Sequence, residues 1–214
     1  MPNWVGNAIT IDSKYRDFIV NSKGEVDFGI LFPMPESLQV EAGGSNDSDI
    51  YVYLSERMKK PLDEVRKDPL SKLIHNQFSD DWLKEISERI TDSEKDSEEI
   101  EKAYQRGSVL INNYKEYGAI NWYEWCVANW GTKWNASDTE IWDNIISFNT
   151  AWSPPTGWLS KLAALKIPFT LEWEEEQGYY GEYTSNGDGN LYETESGFRG
   201  PWGDEDEEED EEED

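Results

Sequence analysis

Residues 145–173 read Ile-Ile-Ser-Phe-Asn-Thr (145–150), then Ala-Trp-Ser-Pro-Pro-Thr-Gly-Trp-Leu-Ser-Lys-Leu-Ala-Ala-Leu-Lys-Ile (151–167), then Pro-Phe-Thr-Leu-Glu-Trp (168–173). The first piece has the composition of a strand. Ser153-Pro154 starts a helix with proline just inside it. Trp158, Leu159, Leu162 and Leu165 supply its buried face, and Pro168 stops it. Phe169, Leu171 and Trp173 then alternate with Thr170, Glu172 and Glu174, the period of a strand with one buried face. Strand, helix, strand within one short stretch predicts a split βαβ unit, and with it the α+β class.

Reading outward, residues 4–11 and 26–32 are expected to be strands, the second stopped by Pro33-Met34-Pro35. Tyr179 to Thr184 and Leu191 to Thr194 flank Ser-Asn-Gly-Asp-Gly-Asn, which predicts a hairpin. Gly43 to Asn46 read as a loop. From about 50 to 116 the pattern turns helical and polar. Asp68-Pro69 is a cap and first-turn pair ahead of Leu70, Leu73 and Ile74. Ser79 caps a stripe of Trp82, Leu83, Ile86 and Ile90. Ser97 opens a helix with Ile100, Ala103 and Tyr104 inward and Gly107 closing it. Asn121 and Glu124 form a capping box. Behind it Trp122, Cys126 and Trp130 share one face, and Gly131 ends the helix.

Only 36% of the 214 residues are hydrophobic, but 11 are Trp, and aromatic side chains bury enough area for a compact core. The net charge is −27; the last 11 residues, 204–214, are all acidic, and without them the chain still carries −16. Such a field repels nucleic acid and anionic lipid and attracts basic proteins. The strongest basic cluster, Arg57, Lys59, Lys60, Arg66 and Lys67, is interleaved with acids. No apolar run approaches about 18 residues, so no membrane helix is expected. The N-terminus lacks the basic and apolar regions of a signal peptide, and Cys126 is the single cysteine, so a cytosolic location is expected.

Met1-Pro2-Asn3-Trp4 with Asn7, followed by Phe32-Pro33-Met34-Pro35-Glu36, resembles the N-terminal signature of phage and prophage Api-like proteins. Trp122-Tyr123-Glu124-Trp125-Cys126, Asn129-Trp130-Gly131-Thr132-Lys133-Trp134-Asn135-Ala136 and Ile146-Ser147-Phe148-Asn149-Thr150-Ala151-Trp152-Ser153-Pro154-Pro155 look like that family's central blocks. The resemblance covers roughly 1–40 and 118–181. It implies a ferredoxin-like fold and residence in a bacteriophage or mobile element, hence a bacterial host cytoplasm. It brings no catalytic residues. The organisation expected is a ferredoxin-like domain from 1–42 and 118–200, a helical insertion at 43–117, and an acidic tail at 201–214.

Each candidate site has a competing structural reading. The Trp-rich block at 122–134 suits an interface anchor, but its helical spacing favours core. His75, the only histidine, lies on a polar helix beside Asn76 and Gln77 with no triad partner in view. Cys126 has no cationic neighbour to activate it and reads as a small buried hydrophobe. Asn186-Gly187-Asp188-Gly189-Asn190 starts like a calcium loop, yet Leu191 and Gly197 stand where the sixth-position Gly and twelfth-position Glu belong. A hairpin turn fits better, and no metal or cofactor site is expected. Paired glutamates serve glycoside hydrolysis, but nothing isolates two of them, so catalysis is disfavoured.

The acids themselves are the sharpest feature. Glu172, Glu174, Glu175, Glu176 and Glu182 are expected to form a partner-binding surface, joined by Asp204, Glu205, Asp206, Glu207, Glu208, Glu209 and Asp210 of the tail. An extended polyacid spaces its charges by ~3.3–3.6 Å, close to the ~3.4 Å of one DNA strand. The function expected is an accessory protein that inhibits a host protein by presenting a DNA-like negative surface to its basic groove. A nuclease or other nucleic-acid-binding defence factor is the partner of that kind. The alternative is a structural or regulatory interaction protein whose tail serves solubility.

Overall fold

The computed structural model describes residues 3–58, 65–74 and 97–199. Two compact units divide the chain, Met1–Met34 with Cys126–Asp214, and Pro35–Trp125. Six strands are present among the described residues: β1 (Trp4–Ile11), β2 (Ser137–Trp142), β3 (Ile145–Ala151), β4 (Pro168–Glu175), β5 (Tyr179–Asn186) and β6 (Tyr192–Phe198). The α-helices are α1 (Ser45–Met58), α2 (Ser97–Tyr117), α3 (Trp122–Asn129) and α4 (Thr156–Ala164).

All six strands belong to the first unit and form one sheet, ordered β2-β3-β1-β4-β5-β6. β1 runs antiparallel to both β3 and β4, so those two are parallel to each other with β1 between them. α4 joins them in the chain, which makes the split βαβ unit expected from residues 145–173. One face of the sheet is apolar. Val5, Ile9 and Ile11 of β1, Ile146 and Phe148 of β3, and Phe169 and Leu171 of β4 are all buried. α4 turns Trp158, Leu159, Leu162 and Ala163 inward on this side, with Trp158 6.4 Å from Phe148 and 4.8 Å from Phe28 between ring centroids. Each such side chain contributes about 1.5–3 kcal/mol on burial. The opposite face stays open across its centre: Ala8, Ser147 and Asn149 are half-buried, and Glu140, Glu172 and Glu174 are exposed.

The second unit is helical. α1, α2 and a short 3-10 helix, Pro69–Leu73, gather Ile50, Leu54, Val65, Leu73, Leu110 and Ile111 into a core of their own. The Asp68 carboxylate caps the 3-10 helix by accepting the Leu70 N–H at 2.8 Å, with Pro69 in the first turn, as expected. The Asn113 amide ties the unit together by donating to the carbonyls of Ser37 and Ile120 at 2.8 and 3.2 Å. At the head of α3 the Glu124 N–H donates to Asn121 Oδ1 at 3.1 Å, while the Glu124 carboxylate accepts the Ile120 N–H at 3.0 Å.

Several expectations are corrected. Residues 26–32 are not a strand but a chain of turns, apart from one bridge between Val20 and Val26. Local groups take their backbone hydrogen bonds instead of a ladder. Val26 N–H donates to Thr139 Oγ1, Phe28 N–H to Asn135 Oδ1 and Gly29 N–H to Asp27 Oδ1, all within 2.9 Å. Gly107 does not end a helix, because α2 runs through it to Tyr117; it is buried there against α1. The loop at 43–46 is shortened because α1 already begins at Ser45. Leu165 is exposed at the end of α4 rather than on its buried face. On α3 the more deeply buried tryptophan is Trp125, with Cys126, while Trp122 is half-buried. Gly131, at φ +84°, closes the helix as expected, its N–H reaching back to the Cys126 carbonyl at 3.2 Å. His75, the helix expected after Ser79, Lys59, Lys60 and the tail from 200 onward lie outside the described residues.

Candidate functional site

The antiparallel registers carry one row of side chains across the whole open face. Glu140 of β2 stands opposite Ser147 of β3, which stands opposite Ala8 of β1, then Glu172 of β4, Glu182 of β5 and Glu195 of β6. Neighbouring strands lie ~4.8 Å apart, so three consecutive carboxylate-bearing positions are separated by little more than a hydrogen-bonded strand spacing. The adjacent row reads Asn149, Gly6, Glu174, Tyr180 and Gly197. Small residues at Gly6, Ala8 and Ser147 leave a shallow trough between acidic rims. The resulting groove, about 650 Å³ in volume, is lined by Asp138, Glu140, Glu172, Glu174, Glu182 and Glu195 on its acidic side.

Among the described residues, the carboxylates of Glu140, Glu172, Glu174 and Glu195 have neither a hydrogen bond nor an ion pair. Glu182 accepts the Thr194 hydroxyl at 2.5 Å, and Asp138 accepts from Ser137 and Asn149 at 3.1 and 3.2 Å. Among the described residues that line the groove, the one cationic side chain is Arg199, whose guanidinium lies 4.1 Å above the centre of the Tyr180 ring. Like charges set directly opposite one another across a ladder are unfavourable by about 0.2–1 kcal/mol each. The Glu172–Glu182–Glu195 arrangement therefore costs the free protein stability. Replacing Glu182 by Gln, which keeps the acceptor for Thr194, is expected to raise the thermal midpoint by roughly 1–2 °C in low-salt buffer. The gain should shrink as salt is added, and a thermal melt at two ionic strengths checks it.

The five body glutamates expected at a partner surface do not all share a face. Glu172, Glu174 and Glu182 line the groove. Glu175 pairs with Val5 and points to the opposite side of the sheet. Glu176 follows the strand end, its N–H donating to the Trp4 carbonyl at 3.3 Å. Asp204 to Asp210 are outside the described residues. Sequence reasoning missed Asp138, Glu140 and Glu195. The acids at Glu193 and Glu195 beside the predicted hairpin were a usable signal for the last of these, whereas Asp138 and Glu140 sit on a strand too polar to stand out.

The other candidates resolve into structure. Trp130 packs at 5.7 Å from Phe28 and donates its indole N–H to the Phe32 carbonyl at 2.9 Å. Trp134 and Trp152 are partly exposed, and the Lys133 ammonium lies 4.6 and 4.5 Å from their ring centres. The Asp188 carboxylate accepts the Tyr192 hydroxyl and the Asn190 N–H, and these bonds hold it below the usual carboxylate range. That pattern closes a hairpin turn. Cys126 is buried, and burial pushes its thiol up to about 11. The thiol therefore stays protonated at neutral pH and is a poor nucleophile. Because the folded value exceeds the unfolded one near 9.0, this group makes folding less favourable as pH rises from about 9 towards 11. Iodoacetamide at pH 8 is expected to label the native protein at least about tenfold more slowly than the unfolded chain, as mass spectrometry would measure.

Residues 129–214 match the family model of the ferredoxin-like domain in Api92-like protein. The fold is α+β with that ferredoxin-like domain at its C-terminal side. β2 to β6 and α4 fall inside the matched range and β1 falls outside it, so the domain's sheet contains a strand from the other end of the chain. A crystal structure of a protein api92 from Yersinia pseudotuberculosis is 11% identical, with 94% of this chain and 99% of that one covered at a TM-score of 0.38. No curated protein matches the chain. Among the described residues no helix is long and apolar enough to cross a membrane, and no group of three or more acidic, His or Cys side chains is close enough to hold a metal ion. The acids of the ferredoxin-like sheet are spread in a line rather than converged on a point. What such an array can do chemically is meet an extended set of positive charges.

Proposed function

We propose that the protein is a phage- or prophage-encoded accessory factor that binds the basic, nucleic-acid-handling groove of a host protein and inhibits it, using the open face of its ferredoxin-like sheet. The observation that supports this reading is the glutamate row, four carboxylates in one register line with Arg199 as the one cation among the described residues lining the groove. Four-stranded sheets that bind RNA display stacking aromatics on this kind of open surface. Here the central row of the open face carries Glu, which repels phosphate, so the complementary ligand is a cationic protein surface. Spread over six strands, the row is roughly 24 Å long, comparable with the phosphates of about half a dozen nucleotides in one strand.

Titration against a purified host nuclease or restriction complex tests the reading, with duplex DNA as competitor. Binding should weaken steeply as salt rises. The triple variant Glu172→Lys, Glu182→Lys, Glu195→Lys is expected to lose at least about 100-fold in affinity while keeping the wild-type circular dichroism spectrum. Deletion of 204–214 should weaken binding as well, whereas a tail serving solubility alone leaves affinity unchanged. Salt-independent association, or a triple variant that binds like the parent, would sink the proposal. Removing the competing cation should act in the other direction: Arg199→Ala is expected to tighten binding by about two- to fivefold, measured by calorimetry.

A further inference from the structure

The two edges of the sheet are treated differently. β2 is blunted in two ways. Its register shifts between Ser137 and Glu140, with Asp138 at φ +51°, and residues 26–28 are fastened alongside through Thr139 Oγ1 and Asn135 Oδ1. Bulges and covering loops are the usual devices that stop an edge from pairing. β6 shares the first feature, a register shift against β5 at Glu182/Tyr183, but among the described residues no loop is fastened alongside it. It is the terminal strand of the order, seven residues long, and exposed along almost its whole length. Among the described residues, the backbone hydrogen bonds formed by Tyr192–Phe198 run to β5, and no other described residue pairs with the outward-facing N–H and C=O groups of the strand.

The side chains beside that edge define what fits. Glu195 continues the glutamate row on the open face, opposite Glu182. After the register shift at Glu182/Tyr183, Glu193 pairs with Tyr183 and so projects from the other face. At the far end Phe198 stacks on Tyr179 at 4.7 Å, and both rings are about half exposed. A second copy of this chain would set Glu193 and Glu195 against their own counterparts, with a net charge of −27 on each molecule opposing approach. A nucleic acid strand has no amide ladder to offer. An extended peptide with basic residues on both of its faces satisfies the backbone groups and the carboxylates together, and a hydrophobic residue at one end meets the Tyr179–Phe198 pair.

We infer that the β6 edge accepts an extended, basic segment of the protein partner as a seventh strand, with Lys or Arg set opposite Glu195 and Glu193. This rests on the reading of the partner as a cationic protein, and adds the manner of its docking. β-Strand addition takes affinity from main-chain hydrogen bonds and selectivity from alternate side chains. Opposite charges directly across a ladder are favourable, so an incoming Lys or Arg also relieves the repulsion built into the row.

The test uses the full chain and two synthetic peptides of about ten residues in which pairs of Lys alternate with pairs of Val, so that both faces of the extended peptide carry Lys. The second peptide is N-methylated at every residue, which leaves its charge unchanged and removes the donors of both strand edges. The unmethylated peptide is expected to bind at least about tenfold more tightly, and the amides of 192–198 should gain protection from hydrogen exchange on its addition. Equal binding of the two peptides without protection at 192–198 overturns strand addition and leaves capture by the acidic face standing. Binding by neither peptide overturns both.

Discussion

Residues 129–214 produced alone are expected to show no cooperative unfolding transition, although they span the whole match to the ferredoxin-like domain. The missing piece is β1, the strand between β3 and β4. Without it the sheet separates into a β2–β3 hairpin and a β4–β5–β6 meander, each with a bare edge. The buried Val5, Ile9 and Ile11 go with it, a loss of roughly 4.5–9 kcal/mol before any ladder hydrogen bond is counted. Whole domains are stable by only about 5–15 kcal/mol. Restoring residues 1–34 through a short Gly/Ser linker in place of 35–125 should recover a sharp thermal transition. The junction is short, because Met34 Sδ lies 3.9 Å from Cys126 Sγ and Phe32 already accepts the Trp130 indole N–H. A cooperative melt from 129–214 by itself, followed by circular dichroism, would show that β1 is dispensable.

The Gly107→Ala variant is expected to lose about 1–3 kcal/mol of stability. Helix propensity alone argues the other way, since Ala in a helix interior is favoured over Gly by about 1 kcal/mol. Packing decides the sign. A Cβ at position 107 would stand 2.1 Å from the Asp49 carbonyl oxygen and 2.8 Å from Tyr53 Cβ, so α1 itself would have to move away from α2. That movement also pulls on the bidentate pair between Arg106 and the nearly buried Asp49 carboxylate, at 2.7 and 2.9 Å. Denaturant unfolding of the full chain measures the change, and a stabilised variant would show that the two helices are not held this close.

The open sheet face stabilises the free protein poorly, and under the proposed function its charge is complementary to a basic partner. Aligning Glu172, Glu182 and Glu195 spends stability that neutral residues would retain, and a surface selected only for solubility has no reason to align its charges. The paired outcomes for Glu182→Gln make this measurable: higher melting temperature in the free protein, weaker hold on a basic partner.

Local sequence was enough to place β1, β3, α4 and β4: residues 4–11 and 145–150 read as strands, Phe169 and Leu171 alternate with Thr170 and Glu172, and Pro168 separates helix from strand. The βαβ unit followed from that order of elements. The same logic failed at 26–32, where apolar residues recur but Thr139, Asn135 and Asp27 side chains satisfy the backbone first. It also missed β2, whose Ser137-Asp138-Thr139-Glu140 half is an edge with almost nothing apolar to betray it. Composition alone determined that this protein carries a large excess of negative charge. Which carboxylates stand together was decided only by tertiary structure. The registers of the separate ladders bring Glu140, Glu172, Glu182 and Glu195 into line from four strands, whereas alternation along β4 alone sends Glu175 to the other side. A two-residue slip in any ladder keeps every side chain on its own face yet breaks the row, and no local pattern in the chain encodes that choice.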